Sequence, residues 1–370
     1  MTPIDAEALI VGGGLAGSMV ALELAKAGRG AVLLERSKAA HHKVCGEFLS
    51  AETIHYLARH NVDLPALGAI SLHSVRLVLR RGIVEDRLPF AAYSLTRSVL
   101  DEALLTHAAA AGVVVERNSA VEHLQPQGAA WCASVRDGRS FRSANIFLAT
   151  GKHDLRGFSR PAGTHRGLIA FKMYYRLTPQ QHAQLGAAVE LILFPGGYAG
   201  LQPVEDGRVN LCLLVTGKCL KSVGSNWAGL VPYLFRHAPH LEERLRGAVS
   251  LLDAPLTASH IPYGHMQAAS RDGLWHLGDQ AAVIPSFCGD GMAIALHSGA
   301  VAAHHFLKGD RAETYQLQLR SQLGRRLALA TRLSQAMVAW PEAAQIARLV
   351  PGLLSRIASM TRIPDTALLR

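Results

Sequence analysis

Cysteine is scarce and scattered. The five thiols, at positions 45, 132, 212, 219 and 288, form no C-x-x-C pair and no metal-ligand spacing. An odd, dispersed set suits a reducing compartment, not a disulfide framework. Long apolar runs are missing as well. The most apolar stretch, 281–303, is broken by Asp290, His297 and several glycines, which excludes a membrane span. The first residues carry Asp5 and Glu7 and no basic leader pattern, so no secretory signal is expected. No Lys/Arg block is interleaved with aromatics, which argues against nucleic acid as a partner, although the formal charge is +10. Arginines spread through the second half suit a solvated basic surface, or one that attracts anionic lipid or an acidic carrier. His41 and His42 are adjacent but have no third ligand nearby, so no metal is expected. With 49% hydrophobic and 18% charged residues in 370, the chain can fill a large core and more than one domain.

What is present is organised around residues 7–36. Ala8-Leu9-Ile10-Val11 is a short apolar run that reads as a buried strand. Gly12-Gly13-Gly14-Leu15-Ala16-Gly17 follows at once as G-x-G-x-x-G, then a helix over 18–27 that Gly28 stops. Ala31–Leu34 is a second buried strand, ending on Glu35. In this context Gly12 permits the tight turn, Gly14 lets backbone approach a pyrophosphate, and Gly17 lets helix and strand pack closely. The open amides of the helix N-terminus, at Leu15 and Ala16, attract phosphate charge, and Glu35 is placed to accept from a ribose. An acid at 35 suits an adenine dinucleotide without a 2′-phosphate, FAD or NAD.

Beyond Arg36 the pattern predicts a polar loop through Lys43 and Cys45-Gly46, and a helix over 51–59 with Ser50 as N-cap. A strand and return around Gly82 follow over 71–90, then a helix over 98–112 and a strand at 113–116. Residues 120–147 read as antiparallel strands with turns at Gln127-Gly128 and Asp137-Gly138. Residues 161–270 alternate in the manner of a sheet, interrupted by one helix over 226–246. Leu274–Asp279 is another buried strand ending on an acid, followed by Cys288-Gly289-Asp290-Gly291-Met292 and a helix over 293–307. The remainder, 311–370, reads as helical. The expected division is a discontinuous dinucleotide domain (1–70, 95–160, 271–310), a β-rich domain (71–94, 161–270) and C-terminal helices (311–370).

Four motifs together resemble flavoproteins of the p-hydroxybenzoate hydroxylase fold, in the branch of geranylgeranyl reductases, FixC-type dehydrogenases and flavin-dependent halogenases. They are Gly12–Gly17 with Glu35; Lys43-x-Cys45-Gly46; Leu95-Thr96-Arg97 with Asp101; and Gly278-Asp279 followed by Gly289-Asp290-Gly291. The resemblance implies an α/β fold: a Rossmann-type FAD-binding domain of the glutathione-reductase kind, an inserted β-rich substrate domain and C-terminal helices. It implies non-covalent FAD. Gly12, Gly14, Leu15, Ala16, Gly17, Glu35 and Arg36 would hold the ADP half, Arg97 would reach phosphate or ribose, and Asp279 with Gly278 would meet the ribityl chain. Lys43, Cys45 and Gly46 would lie near the cofactor, and Gly289, Gly291 and Met292 would face the pyrimidine edge. Tyr198, Gln202, Pro203 and Pro285 would face substrate. Gln280 departs from the family's Gly-Asp-Ala-Ala-His, and Ser286 stands where relatives often have proline. The absence of Trp-x-Trp counts against a tryptophan halogenase. NAD(P)H is a candidate electron donor; Thr150–Asp154 only loosely matches the family's nicotinamide-side Asp-Gly, which leaves a separate reductase as the other.

Three functions compete at this stage. The favoured one is oxygenation of an apolar aromatic or polyketide-like molecule, on fold-level analogy. The second is reduction of an isolated C=C bond, with Cys45 as candidate catalytic proton donor. The third is flavin or lipid binding without catalysis. Cys45 and Cys288 are expected near the flavin, as a proton donor or redox pair or simply as space-fillers. The substrate is expected to be an apolar small molecule, carrier- or lipid-linked, and the protein cytoplasmic with peripheral contact at the inner membrane face. Leucines at helical spacing in 327–357, with arginines among them, suit either a helix packed on its own core, the commoner case, or one lying on a bilayer.

Overall fold

A computed structural model describes residues 3–370 of the chain. Its first layer is a five-stranded parallel sheet in the order Leu274–His276, Ile146–Leu148, Ala8–Val11, Ala31–Leu34, Val114–Glu116. Ala8–Val11 is buried at every position because the sheet is covered on both faces, so the strand reads as an unbroken apolar run. On one face lie helices Leu15–Lys26 and Gly291–Leu307. They cross so closely that a Cβ at Gly299 would come within 2.6 Å of the Ala16 carbonyl oxygen. A second sheet covers the other face, in the order Ile4–Asp5, Ser140–Ser143, Ala130–Val135, Val121–Gln127.

A nine-stranded mixed sheet forms the other half. The long hairpin Ile70–Leu79 and Gly82–Ser94 joins it through a parallel pairing of Ala188–Phe194 with the first hairpin strand. Leu168–Arg176, Arg208–Thr216 and Gly197–Val204 make its antiparallel centre. The pattern of 161–270 concealed more helix than expected. Pro179–Leu185 and Gly217–Ser222 are helical, each begun by a threonine whose side chain caps the third residue on. The expected helix over 226–246 is two, Trp227–His237 and Pro239–Leu245, because Pro239 cannot continue the first. Ser50 stands at its N-cap position but makes no side-chain cap. The C-terminal region is one long helix, Ala312–Ala339, then a 3₁₀ segment Pro341–Arg348 and helix Leu353–Thr361, divided where Pro341, Pro351 and Gly352 interrupt the ladder. Among the described residues no helix is long and apolar enough to cross a membrane.

Candidate active site

The glycine turn is dictated by contact as well as conformation. Gly12 has φ +109°, and a Cβ there would lie 2.5 Å from the Ala149 oxygen; at Gly17 it would lie 2.0 Å from the Gly12 oxygen. Both positions therefore need glycine. Glu35, at the end of the second strand, accepts from the Gly13 and Ser37 amides, each at 2.8 Å. Burial works against its ionisation, but the Ser37 and Gly13 amides and the Lys43 charge outweigh it and hold the carboxyl below its usual range.

Gly14 faces two cations. A Cβ built on it would be 3.5 Å from Arg97 Nη2 and 3.8 Å from Lys43 Nζ. Both cations are fixed by Asp101: Arg97 donates from Nε at 2.7 Å and Nη2 at 2.9 Å, and Lys43 donates at 2.7 Å. Burial would raise the Asp101 carboxyl, yet the two cations hold it low. One carboxylate thus aims two positive charges at the N-terminus of helix Leu15–Lys26, an arrangement that fits a pyrophosphate. Leu15 and Ala16 are buried at that terminus, whereas Arg36 is exposed.

The Lys43–Glu47 loop is the part the sequence disclosed least. Each of its five successive carbonyls accepts from a side chain elsewhere. Lys172 donates to Lys43 O at 3.0 Å, and Lys152 to Val44 O at 2.5 Å. Asn210 donates to Cys45 O and Gly46 O at 3.1 and 3.0 Å, and Gln202 to Glu47 O at 3.0 Å. Among the described residues the amides of 43–46 donate to no protein acceptor, so the loop presents unused donors. Glu47 anchors it. Its carboxylate is fully buried, meets Lys172 Nζ at 2.5 Å, and accepts from Tyr174 Oη, the Arg97 amide and Asn210. Burial pushes the Glu47 carboxyl up while Lys172 pulls it down. Its backbone is left-handed at φ +62°, a conformation a non-glycine residue holds only when its surroundings over-determine it. Gln202, expected to face substrate, donates to this loop, and the carbonyl of Pro203 accepts from Ser94. Both bonds follow from burial: polar groups this deep must be paired.

Opposite lies the second glycine turn. Gly278 begins a 3₁₀ turn in which Arg160 donates to Asp279 O at 2.7 Å. The Asp279 side chain makes no hydrogen bond among the described residues. Gln280, the departure from the family pattern, ties this turn to Gly151 O at 2.8 Å. Gly291 opens helix Gly291–Leu307, with Met292 buried behind it. Cβ positions on Gly46 and Gly291 would meet nothing within 4 Å, so both glycines border open space, whereas one on Gly289 would strike the Phe48 ring. Unused amides, unpaired Asp279 and these open glycines fit an FAD, whose pyrophosphate Gly14, Arg97 and Lys43 would hold.

Tyr198 and Pro285 are buried. Tyr198 Oη lies 3.2 Å from Ser286 Oγ, and its ring meets Phe287 edge-on at 6.1 Å. Tyr198 packs in an apolar core cluster with Leu193, Tyr263 and Val283, against which Val44 lies. Cys45 is half-buried with its thiol toward the Arg97 guanidinium. Cys288 is buried, its thiol pushed well up by desolvation. All five cysteines are free thiols. A cleft of 470 Å³ lined by Arg76, Glu85, His240 and Arg244 lies on the nine-stranded sheet, away from both glycine turns, and carries none of this chemistry.

Fold and site together define an FAD-dependent oxidoreductase, and residues 5–146 match the FAD binding domain family. The chain is similar to digeranylgeranylglycerophospholipid reductase 2 of Methanopyrus kandleri, with 25% identity across 81% of this chain and 76% of that protein. It is also similar to menaquinone reductase of Mycolicibacterium smegmatis, with 24% identity across 89% of this chain and 84% of that one. Among solved structures, the flavin-dependent brominase Bmp2 superposes with a TM-score of 0.80 at 16% identity, covering 99% of this chain and 96% of the other, and shares the fold.

Proposed function

We propose that this oxidoreductase reduces a carbon–carbon double bond in an apolar, isoprenoid-like molecule. The observation that carries the reading is Cys45, a thiol held on the anchored loop beside the space left by Gly46. Two sequence relatives are named as reductases, which supports it. FAD, when bound, supplies the hydride. Lys43 and Arg97 would hold the pyrophosphate, and the amides at Gly291 and Met292 would stabilise negative charge at the helix N-terminus. An apolar substrate would lie against the core cluster around Tyr198, away from water. Cys45 gives a proton to the second carbon and regains one from solvent, so two electrons and two protons reach the double bond. NAD(P)H or a separate reductase restores the reduced cofactor.

Oxygenation of an aromatic or polyketide-like molecule is the second reading, resting on fold-level analogy. Oxygen separates the two. The protein is reduced under argon and mixed with a geranylgeranyl lipid or menaquinone. Return of the oxidised flavin spectrum without air, with a saturated product, is expected. Turnover only after air is admitted, with an oxygenated product, would assign it to the oxygenases. Cys45→Ala is expected to lower kcat by about a hundredfold with KM little changed, the scale of a lost general acid. Unchanged turnover would remove the proton-donor role.

A further inference from the structure

The C-terminal segment has two faces. Inward, Met337, Val338, Ala347, Leu353 and Leu354 pack with the apolar core cluster that includes Tyr198. Outward, Trp340 is 69% exposed, Ile346 58% and Leu349 80%, and Ile83 near the start of the hairpin's second strand is 48% exposed. These outward residues share one surface, because the segment lies on the hairpin. Arg348 donates to Arg81 O at 2.9 Å with its guanidinium against Gly82, and Ser355 donates to Arg87 O at 2.6 Å. Around the apolar residues stand five exposed arginines: Arg80, Arg81, Arg87, Arg348 and Arg356. Among the described residues none of the five has an ion-pair partner; nearby Glu85 is taken by Arg76, and Asp86 accepts from the Leu354 amide. The expected alternatives for this region therefore divide along it: Leu353, Leu354 and Ile357 are half-buried, while Ile346 and Leu349 face solvent.

We propose that this face docks on an anionic lipid bilayer. Exposed large apolar side chains contribute by inserting at the headgroup boundary, where tryptophan is favoured. Unpaired arginines at their margin contribute by attraction to acidic headgroups. An acidic protein would answer the charge, but it would not account as well for Trp340 and Leu349 standing bare beside it. The inner side of the same segment packs on the core cluster around Tyr198, so docking would bring that part of the molecule next to the lipid phase. The surface is argued independently of which reaction the flavin site performs.

The test is co-sedimentation of the FAD-loaded protein with vesicles of equal parts phosphatidylglycerol and phosphatidylcholine. Pelleting at low salt is expected, weakened by added salt. Ile346→Asp with Leu349→Asp, and separately Arg87→Glu with Arg356→Glu, are each expected to weaken partitioning about tenfold or more, with flavin absorbance and melting temperature unchanged. No pelleting at low salt, or pelleting indifferent to both double substitutions, overturns the proposal. Binding to an acidic acyl carrier protein with no vesicle binding would reassign the face to a protein partner and overturn it equally.

Discussion

Gly14 shows how one missing side chain defines the cofactor. The space above it is bounded by Arg97 Nη2 and Lys43 Nζ, both held by Asp101. A branched side chain there would occupy the position between helix N-terminus and cations that a pyrophosphate needs. Gly14→Val is expected to purify folded but colourless, and to stay so after incubation with FAD. In the parent protein, heat denaturation is expected to release FAD into the supernatant, because no linkage to histidine or cysteine is implied; release of FMN would contradict the pyrophosphate assignment. These residues were legible in the sequence because glycine at a fixed spacing is a backbone requirement that leaves a mark in the residue type itself. Asp101 was legible as a motif member but not as the group that orients both cations.

At the scale of an element, the Lys43–Glu47 loop was recognised by its Cys-Gly pair, while its anchors were not. Lys152, Lys172 and Asn210 lie 109 to 167 residues further on and carry no local pattern; burial gives them their meaning, and burial of a lysine cannot be read from sequence spacing. Lys172 and Glu47 are both fully buried. Removing one leaves the other charged and unpaired, so Lys172→Met is expected to cost about 3–5 kcal/mol and to loosen FAD binding. Lys172→Met with Glu47→Gln should recover part of that stability in thermal unfolding, since no buried charge remains. If the double variant is as unstable as the sum of the singles, the pair does not act as a unit. The strands and turns of 120–147 followed their pattern, because Gly128 and Gly138 mark left-handed turns. The two short threonine-capped helices of the nine-stranded sheet did not, because helices of six or seven residues are too brief to show a period.

Over the whole molecule, buried titrating groups set opposing responses to acid. Burial lowers His276 and His297 to about 4 from an ordinary 6.5, so both are neutral when folded. The unfolded chain binds more protons between these values, and stability is expected to fall as pH drops from 6.5 toward 4. Asp290 acts in reverse. Burial, against the pull of Arg362 at 2.8 Å, raises its carboxyl to about 7 from 3.8. The folded form then holds the extra proton between those values, so its contribution declines as pH rises and partly offsets the histidines on the acid side. Asp290→Asn is therefore expected to show a steeper loss of melting temperature between pH 6.5 and 4 than the parent. A shallower one would mean that the ion pair with Arg362 keeps Asp290 charged throughout.

The anchoring of the Lys43–Glu47 loop also has a mechanical consequence. The loop leaves the parallel sheet and enters the nine-stranded one through Phe48–Leu49, and donors from Leu168–Arg176, Gly197–Val204 and Arg208–Thr216 grip it along its length. Swinging the two sheets apart would break that series of bonds together and expose a buried ion pair. A hinge at this seam is thus too costly to serve as a gate. Any opening toward the core around Tyr198 would instead fall to the C-terminal segment, which is held by bonds from Arg348, the Leu354 amide and Ser355 and by its apolar packing.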